Sequence, residues 1–246
     1  MQSYLRVSRS LTYSLLFAVP LLIAYEVGTL TLAGDGASSL RNGADVLLRT
    51  LFAAGGVEGT LPFTALLLGI AGVLIILEQR RTRIPLRLPP FLGMAAESVV
   101  YALLLGLVIG GLTQWLLQGA GLLPMSIEAG PLASLTRREG IVLSLGAGIY
   151  EELVFRVILV GGIYAVLRGG GLERGRAGVF SAILAALIFS AFHYVGPYGD
   201  PWALPSFLFR FLAGLAFSVL FLVRGFGIAA WTHALYDVFI FTLRGS

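Results

Sequence analysis

Long apolar runs, broken by short polar or glycine- and proline-rich connectors, set the pattern of this chain. A membrane-crossing helix needs about 20 mostly apolar residues. Runs of about that length fall at 11–33, 61–78, 91–118, 139–167, 177–195, 206–223 and 226–243, and they predict about seven spans. Between the first two, LRNGADVLLRTLFAA (40–54) is shorter and carries Arg41, Asp45 and Arg49, which predicts an interfacial or re-entrant helix. The runs are continuous rather than alternating, which favours helices over a β-barrel. The expected fold is an all-α, polytopic transmembrane helical bundle of about seven spans plus that one interfacial or re-entrant helix. It forms a single membrane domain over 1–246.

Composition agrees. Apolar residues make up 57% of the chain and charged residues only 12%, against about 25% charged in soluble domains; the mean hydropathy is +0.90. The chain has no cysteine, which excludes disulfides and thiolate metal sites. The net charge is +4, but no basic stripe with interleaved aromatics points to nucleic acid. The run 11–33 is too long for a signal-peptide core and lacks a small-x-small cleavage site, so it is read as retained. The arginine-rich loops RRTRIPLR (80–87) and RGGGLERGR (168–176) fall on the same side as Arg6 and Arg9, which predicts the N-terminus inside. The expected location is a membrane, the plasma membrane in a prokaryote.

The informative residues are polar groups inside the apolar runs. In YEELVFRVIL (150–159), Glu151, Glu152 and Arg156 sit mid-span, where each charge costs about 2.5–3.5 kcal/mol on insertion scales. Glu152 and Arg156 are four apart and can pair on one helical face. Glu151, rotated by about 100° on an α-helix, is left facing elsewhere, as a general base or acid must. The chain has only two histidines, His193 in FSAFH (189–193) and His233 in HALYD (233–237), both in expected spans. Asp237 lies one turn beyond His233. Intramembrane ionisable groups are functional candidates by default.

In that order, E-E-x-x-x-R, F-x-x-x-H and H-x-x-x-N/D on successive membrane helices resemble the three motifs of the CAAX protease and bacteriocin-processing family, the Abi-type intramembrane glutamic endopeptidases. The resemblance covers about 139–243, with 1–138 read as further spans of unassigned role. It implies a hydrolase that cleaves a peptide bond with an activated water. In that frame Glu151 activates the water, His193 helps hold and deprotonate it, and His233 stabilises the oxyanion, with Glu152 and Arg156 in supporting motif positions. Asp237 stands where prenyl-protein members carry an oxyanion-hole asparagine. An ionised aspartate accepts hydrogen bonds only, so it could instead bond His233 and strengthen that donor, or act in its neutral form. The implied partners are the bilayer and a peptide or protein substrate, lipidated or membrane-inserted.

The chemistry is coherent without the family name, since Glu, His and His supply a base, a proton shuttle and an oxyanion donor with no covalent nucleophile. No cofactor is expected. Zinc is the metal alternative, but the spacing is not HExxH, and Arg156 beside Glu152 opposes a cation. Two rivals remain: a non-catalytic immunity or regulatory scaffold that keeps the helices, and a proton-coupled transporter, which would require inverted repeats that the chain does not display. Glu26 is expected to line the same cavity or to bond a neighbouring helix, Arg210 to snorkel, and Gly106 with Gly110 to allow close helix packing. At 1.5 Å per residue, Glu151 lies roughly 18 Å in from residue 139 and His233 roughly 15 Å from residue 243, with His193 nearer the surface. These depths predict a cavity open towards loops 118–138 and 196–205.

Overall fold

The computed structural model describes residues 4–34, 40–121, 135–196 and 199–244. All regular structure among them is helical: α1 (Tyr4–Ser8), α2 (Leu11–Gly34), α3 (Gly43–Ala54), α4 (Thr60–Thr82), α5 (Leu88–Gly119), α6 (Arg137–Gly146), a π-helical segment (Ala147–Val160), α7 (Gly161–Gly169), α8 (Arg174–Phe192), α9 (Leu204–Arg224) and α10 (Phe226–Arg244). Five of them, α2, α4, α5, α8 and α9, are long and apolar enough to cross a membrane. The other two expected spans fall on the continuous run from α6 through the π segment to α7, and on α10. At 12 residues, α3 is too short to span.

Helix ends follow local chemistry. Thr136 and Glu139 form a reciprocal capping box at the start of α6. Asn42 caps α3, its side-chain oxygen accepting from the Ala44 amide. The α2 N-terminus is capped from another helix: Glu78 on α4 accepts from the Leu11 and Thr12 amides at 3.0 and 2.5 Å. Its negative charge complements the positive end of the helix dipole.

α10 is the hub of the bundle, packing against α2, α5, α6, α9 and the π segment. Leu21, Tyr25, Tyr150, Ala230 and Ala234 form the buried centre of that contact. By contrast α4 packs chiefly on α2 and leaves Leu61, Ile70, Val73, Ile76 and Leu77 exposed, the pattern of a lipid-facing helix whose backbone bonds are satisfied internally. One glycine decides how closely the site helices approach: a Cβ on Gly148 would come within 2.5 Å of the Ala230 carbonyl and 2.6 Å of the Ala234 methyl. Small residues at such crossings let helices meet at backbone distance. Gly106 does the same more loosely, with the Tyr236 ring 3.3 Å from where a Cβ would stand.

A polar tie closes the far end of the bundle. Arg224 donates two hydrogen bonds to Glu97 and one to Ser8, joining α1, α5 and α9. Arg210, expected to snorkel, reaches a polar partner outside its own helix. It pairs with Asp200 in the connector before α9 and lies over the Tyr194 ring.

Candidate active site

The π segment is the first departure from the expected α-helix. Its i→i+5 bonding is seen where the Gly161 amide donates to the Arg156 carbonyl. Such wide turns are rare and concentrate at functional sites. A wider turn rotates successive residues by less than the α-helical 100°. Adjacent Glu151 and Glu152 are both buried, with 9% and 0% of their surface exposed. The two neighbours nevertheless take different partners, as the expected rotation between them implies: Glu152 Oε1 meets Arg156 and His233, whereas Glu151 Oε1 does not share that pairing.

Both carboxylates meet the same imidazole. Glu152 Oε1 lies 2.7 Å from His233 Nδ1, and Glu151 Oε2 lies 4.0 Å from His233 Nε2. The first is a hydrogen bond, with Nδ1–H donating. The second exceeds direct bonding distance but is one that a bridging water spans. Asp237 Oδ2 stands 3.5 Å from the same Nε2. One ring is thus surrounded by three carboxylates, two from the π segment and one from its own helix.

Arg156 answers that negative charge. Its Nη1 lies 3.0 Å from Glu152 Oε1, the i,i+4 pair the spacing predicts. The guanidinium is 1% exposed, and the Phe189 and Phe217 ring centroids lie 4.5 and 5.3 Å from its Cζ. Cation–π contacts of this kind contribute about 2 kcal/mol when desolvated. Phe217 also stacks on His233 at 4.5 Å, so one aromatic ring fixes both the cation and the imidazole.

His193 sits immediately after α8, as its C-terminal cap. Its Nδ1–H donates to the Phe189 carbonyl at 2.9 Å, which leaves Nε2 free to accept a proton. The Phe189 ring contacts both imidazoles, at 4.9 Å from His193 and 6.4 Å from His233, and His193 lies within electrostatic reach of Glu151. The fold thus brings Glu151, Glu152, Arg156, His193, His233 and Asp237 to one locality, although the depth argument sets His193 apart.

One polar residue at this locality goes unnoticed in the sequence. Asn42 Nδ2 donates to Glu151 Oε1 at 2.8 Å. Phe217 is missed for a similar reason, being one of 16 phenylalanines with nothing local to single it out. Glu26 takes the helix-bonding role rather than lining the cavity: it accepts from Tyr150 Oη and Arg49 Nη2, each at 2.6 Å. Residues 122–134 and 197–198, towards which the cavity is expected to open, lie outside the described residues.

No three-residue cluster of His, Asp or Glu suited to a metal ion occurs among the described residues. The donor chemistry agrees: Glu152 Oε1 is already engaged by Arg156 and His233, and a guanidinium beside a carboxylate repels a second cation.

No curated protein and no solved structure matches the chain. A family model does match, over residues 135–239, a stretch that runs from the α6 capping box to just beyond Asp237 and holds every charged and imidazole group of the three motifs. Over that stretch the chain is similar to the Rce1-like family, described as type II CAAX prenyl endopeptidase Rce1-like.

Proposed function

We propose that this protein is an intramembrane endopeptidase that hydrolyses a peptide bond with a water activated by Glu151 and His193, acting on a prenylated CAAX-type or other membrane-inserted peptide. The observation that carries the reading is the 4.0 Å gap between Glu151 Oε2 and His233 Nε2. A base and a potential hydrogen-bond donor there face one small space, and both are held from behind.

In this reading Glu151, with His193 Nε2, takes a proton from the water as its oxygen attacks the scissile carbonyl carbon. The tetrahedral oxyanion is met by the N–H of His233 Nε2, whose ring Glu152 fixes through Nδ1. Collapse breaks the C–N bond and returns the proton to the leaving amine, so no proton is gained or lost over the cycle. Asp237 acts through His233, holding the ring by its second nitrogen between turnovers rather than facing the oxyanion directly. General acid–base groups of this kind contribute about 10²–10⁴-fold each.

The test uses the detergent-purified full chain with a farnesylated CAAX-ending peptide and its unprenylated counterpart. Glu151→Gln and His193→Ala should each lower cleavage by about 10²-fold or more while the thermal midpoint stays near wild type. Wild-type turnover in Glu151→Gln rules the mechanism out. A folded wild-type protein that cleaves neither peptide, nor any member of a lysate-derived peptide library, would instead favour the regulatory-scaffold alternative.

A further inference from the structure

We propose that Asn42 is a positioning residue for the Glu151 carboxylate, so that α3, from the N-terminal half outside the matched stretch, completes the active site. The inference rests on the proposed role of Glu151.

The Asn42 amide is not free to turn. Its Oδ1 accepts from the Ala44 amide at 2.9 Å as the α3 cap, which obliges Nδ2 to point the other way, to Glu151 Oε1 at 2.8 Å. Its backbone N–H donates to Tyr25 Oη at 3.1 Å, and Tyr25 Oη donates to Asp45 Oδ2 at 2.9 Å. Asp45 is clamped in turn by Arg41 at 2.7 Å and Arg49 at 2.5 Å. The network returns to the π segment through Arg49, Glu26 and Tyr150, the chain neighbour of Glu151. Two carboxylates and two guanidiniums thus make a neutral anchor behind one amide.

Space is made for this approach. A Cβ on Gly146 would come within 2.4 Å of the Tyr25 ring and 3.0 Å of Asn42 Cβ. On the other side, the Phe192 ring lies 3.5 Å from where a Gly43 Cβ would stand, so the start of α3 abuts the end of α8 that carries His193.

The consequence is a division of labour between neighbouring acids. Glu152 is paired with a cation, Arg156, and is spent on holding His233. Glu151 is held by a neutral amide. A neutral donor fixes one oxygen and the side-chain rotamer without neutralising the carboxylate, so Oε2 stays aimed at His233 Nε2 and available as a proton acceptor. The titratable and charged groups around Glu151 are Glu152 and Arg156 on its own element, His233 and Asp237 from α10 and His193 after α8, with Arg41 and Asp45 behind Asn42.

The test compares Asn42→Ser, Asn42→Thr and Asn42→Asp, all good helix caps that lack the amide donor. On the farnesylated peptide, Ser and Thr should lower kcat about tenfold, the range expected for losing a hydrogen bond to a charged group, with KM within about twofold. Asp places a like charge beside Glu151, so kcat should fall further and the acid limb of the kcat/KM profile should move to higher pH by about one unit. An unchanged kcat and acid limb in Asn42→Asp overturns the proposal. Failure of all three variants to fold overturns it too, because Asn42 would then be a scaffold residue. Glu151→Gln run in parallel separates the two ideas: if it is inactive while Asn42→Asp behaves as wild type, only the positioning role fails; if it is active, both do.

Discussion

Glu152 Oε1 holds His233 Nδ1 at 2.7 Å while the same oxygen faces Arg156 Nη1 at 3.0 Å. One buried carboxylate therefore orients the imidazole and neutralises the guanidinium. Glu152→Ala should remove both effects at once. Removing one partner of a buried pair leaves the other uncompensated, at about 3–5 kcal/mol, so the thermal midpoint should drop and cleavage should be lost. Glu152→Gln keeps an oxygen for the His233 N–H and should be milder on both measures. Equal effects of the two variants would show that charge at this position is what matters and shape is not.

Asp237 lies 3.5 Å from His233 Nε2, one turn along the same helix. Asp237→Asn keeps an acceptor oxygen and adds a donor, so it should retain most of the wild-type kcat. Asp237→Ala should lower kcat about tenfold with little change in KM, the pattern of a misoriented His233 donor rather than of a lost substrate contact. Steady-state kinetics on the farnesylated peptide measures both.

Gly148 meets the Ala230 carbonyl at backbone distance. Gly148→Ala should push α10 away from the π segment. Overpacking of this sort costs about 1–3 kcal/mol, and a shift of even 1 Å between acid and imidazole can reduce rate about 10²-fold. Activity should therefore fall more steeply than stability, as read by comparing turnover with thermal melting in the same detergent.

Arg224 makes the opposite prediction. Its bonds to Glu97 and Ser8 lie at the end of the bundle away from the imidazoles. Arg224→Ala should lower stability by about 2–3 kcal/mol, less than a fully buried pair because Glu97 is partly exposed, while kcat of the folded fraction stays within about twofold of wild type.

Chelation offers a separate check. With Glu152 Oε1 engaged by a guanidinium and an imidazole, dialysis against EDTA or 1,10-phenanthroline should leave cleavage unchanged. Loss of activity restored by zinc would replace the water-activation scheme with a metal-centred one.

Much of this protein is legible in its linear order. Continuous apolar runs determine a helical membrane fold, because hydrocarbon accepts only backbones that bond within themselves. The few ionisable groups in those runs stand out because each is expensive there, which is why Glu151, Glu152, Arg156, His193, His233 and Asp237 are singled out as candidates without coordinates. The Glu152–Arg156 pair follows from spacing alone. What spacing does not carry is winding and long-range approach. The approach of Glu151 and Glu152 to one imidazole depends on how their segment packs against α10, not on the residues at i and i+4. Asn42 is separated from Glu151 by 109 positions, and an asparagine capping a short helix looks like any other cap until tertiary packing puts its second polar atom against a carboxylate. The imidazole of His193 likewise joins the others through Phe189, a contact between helices that helical periodicity does not encode.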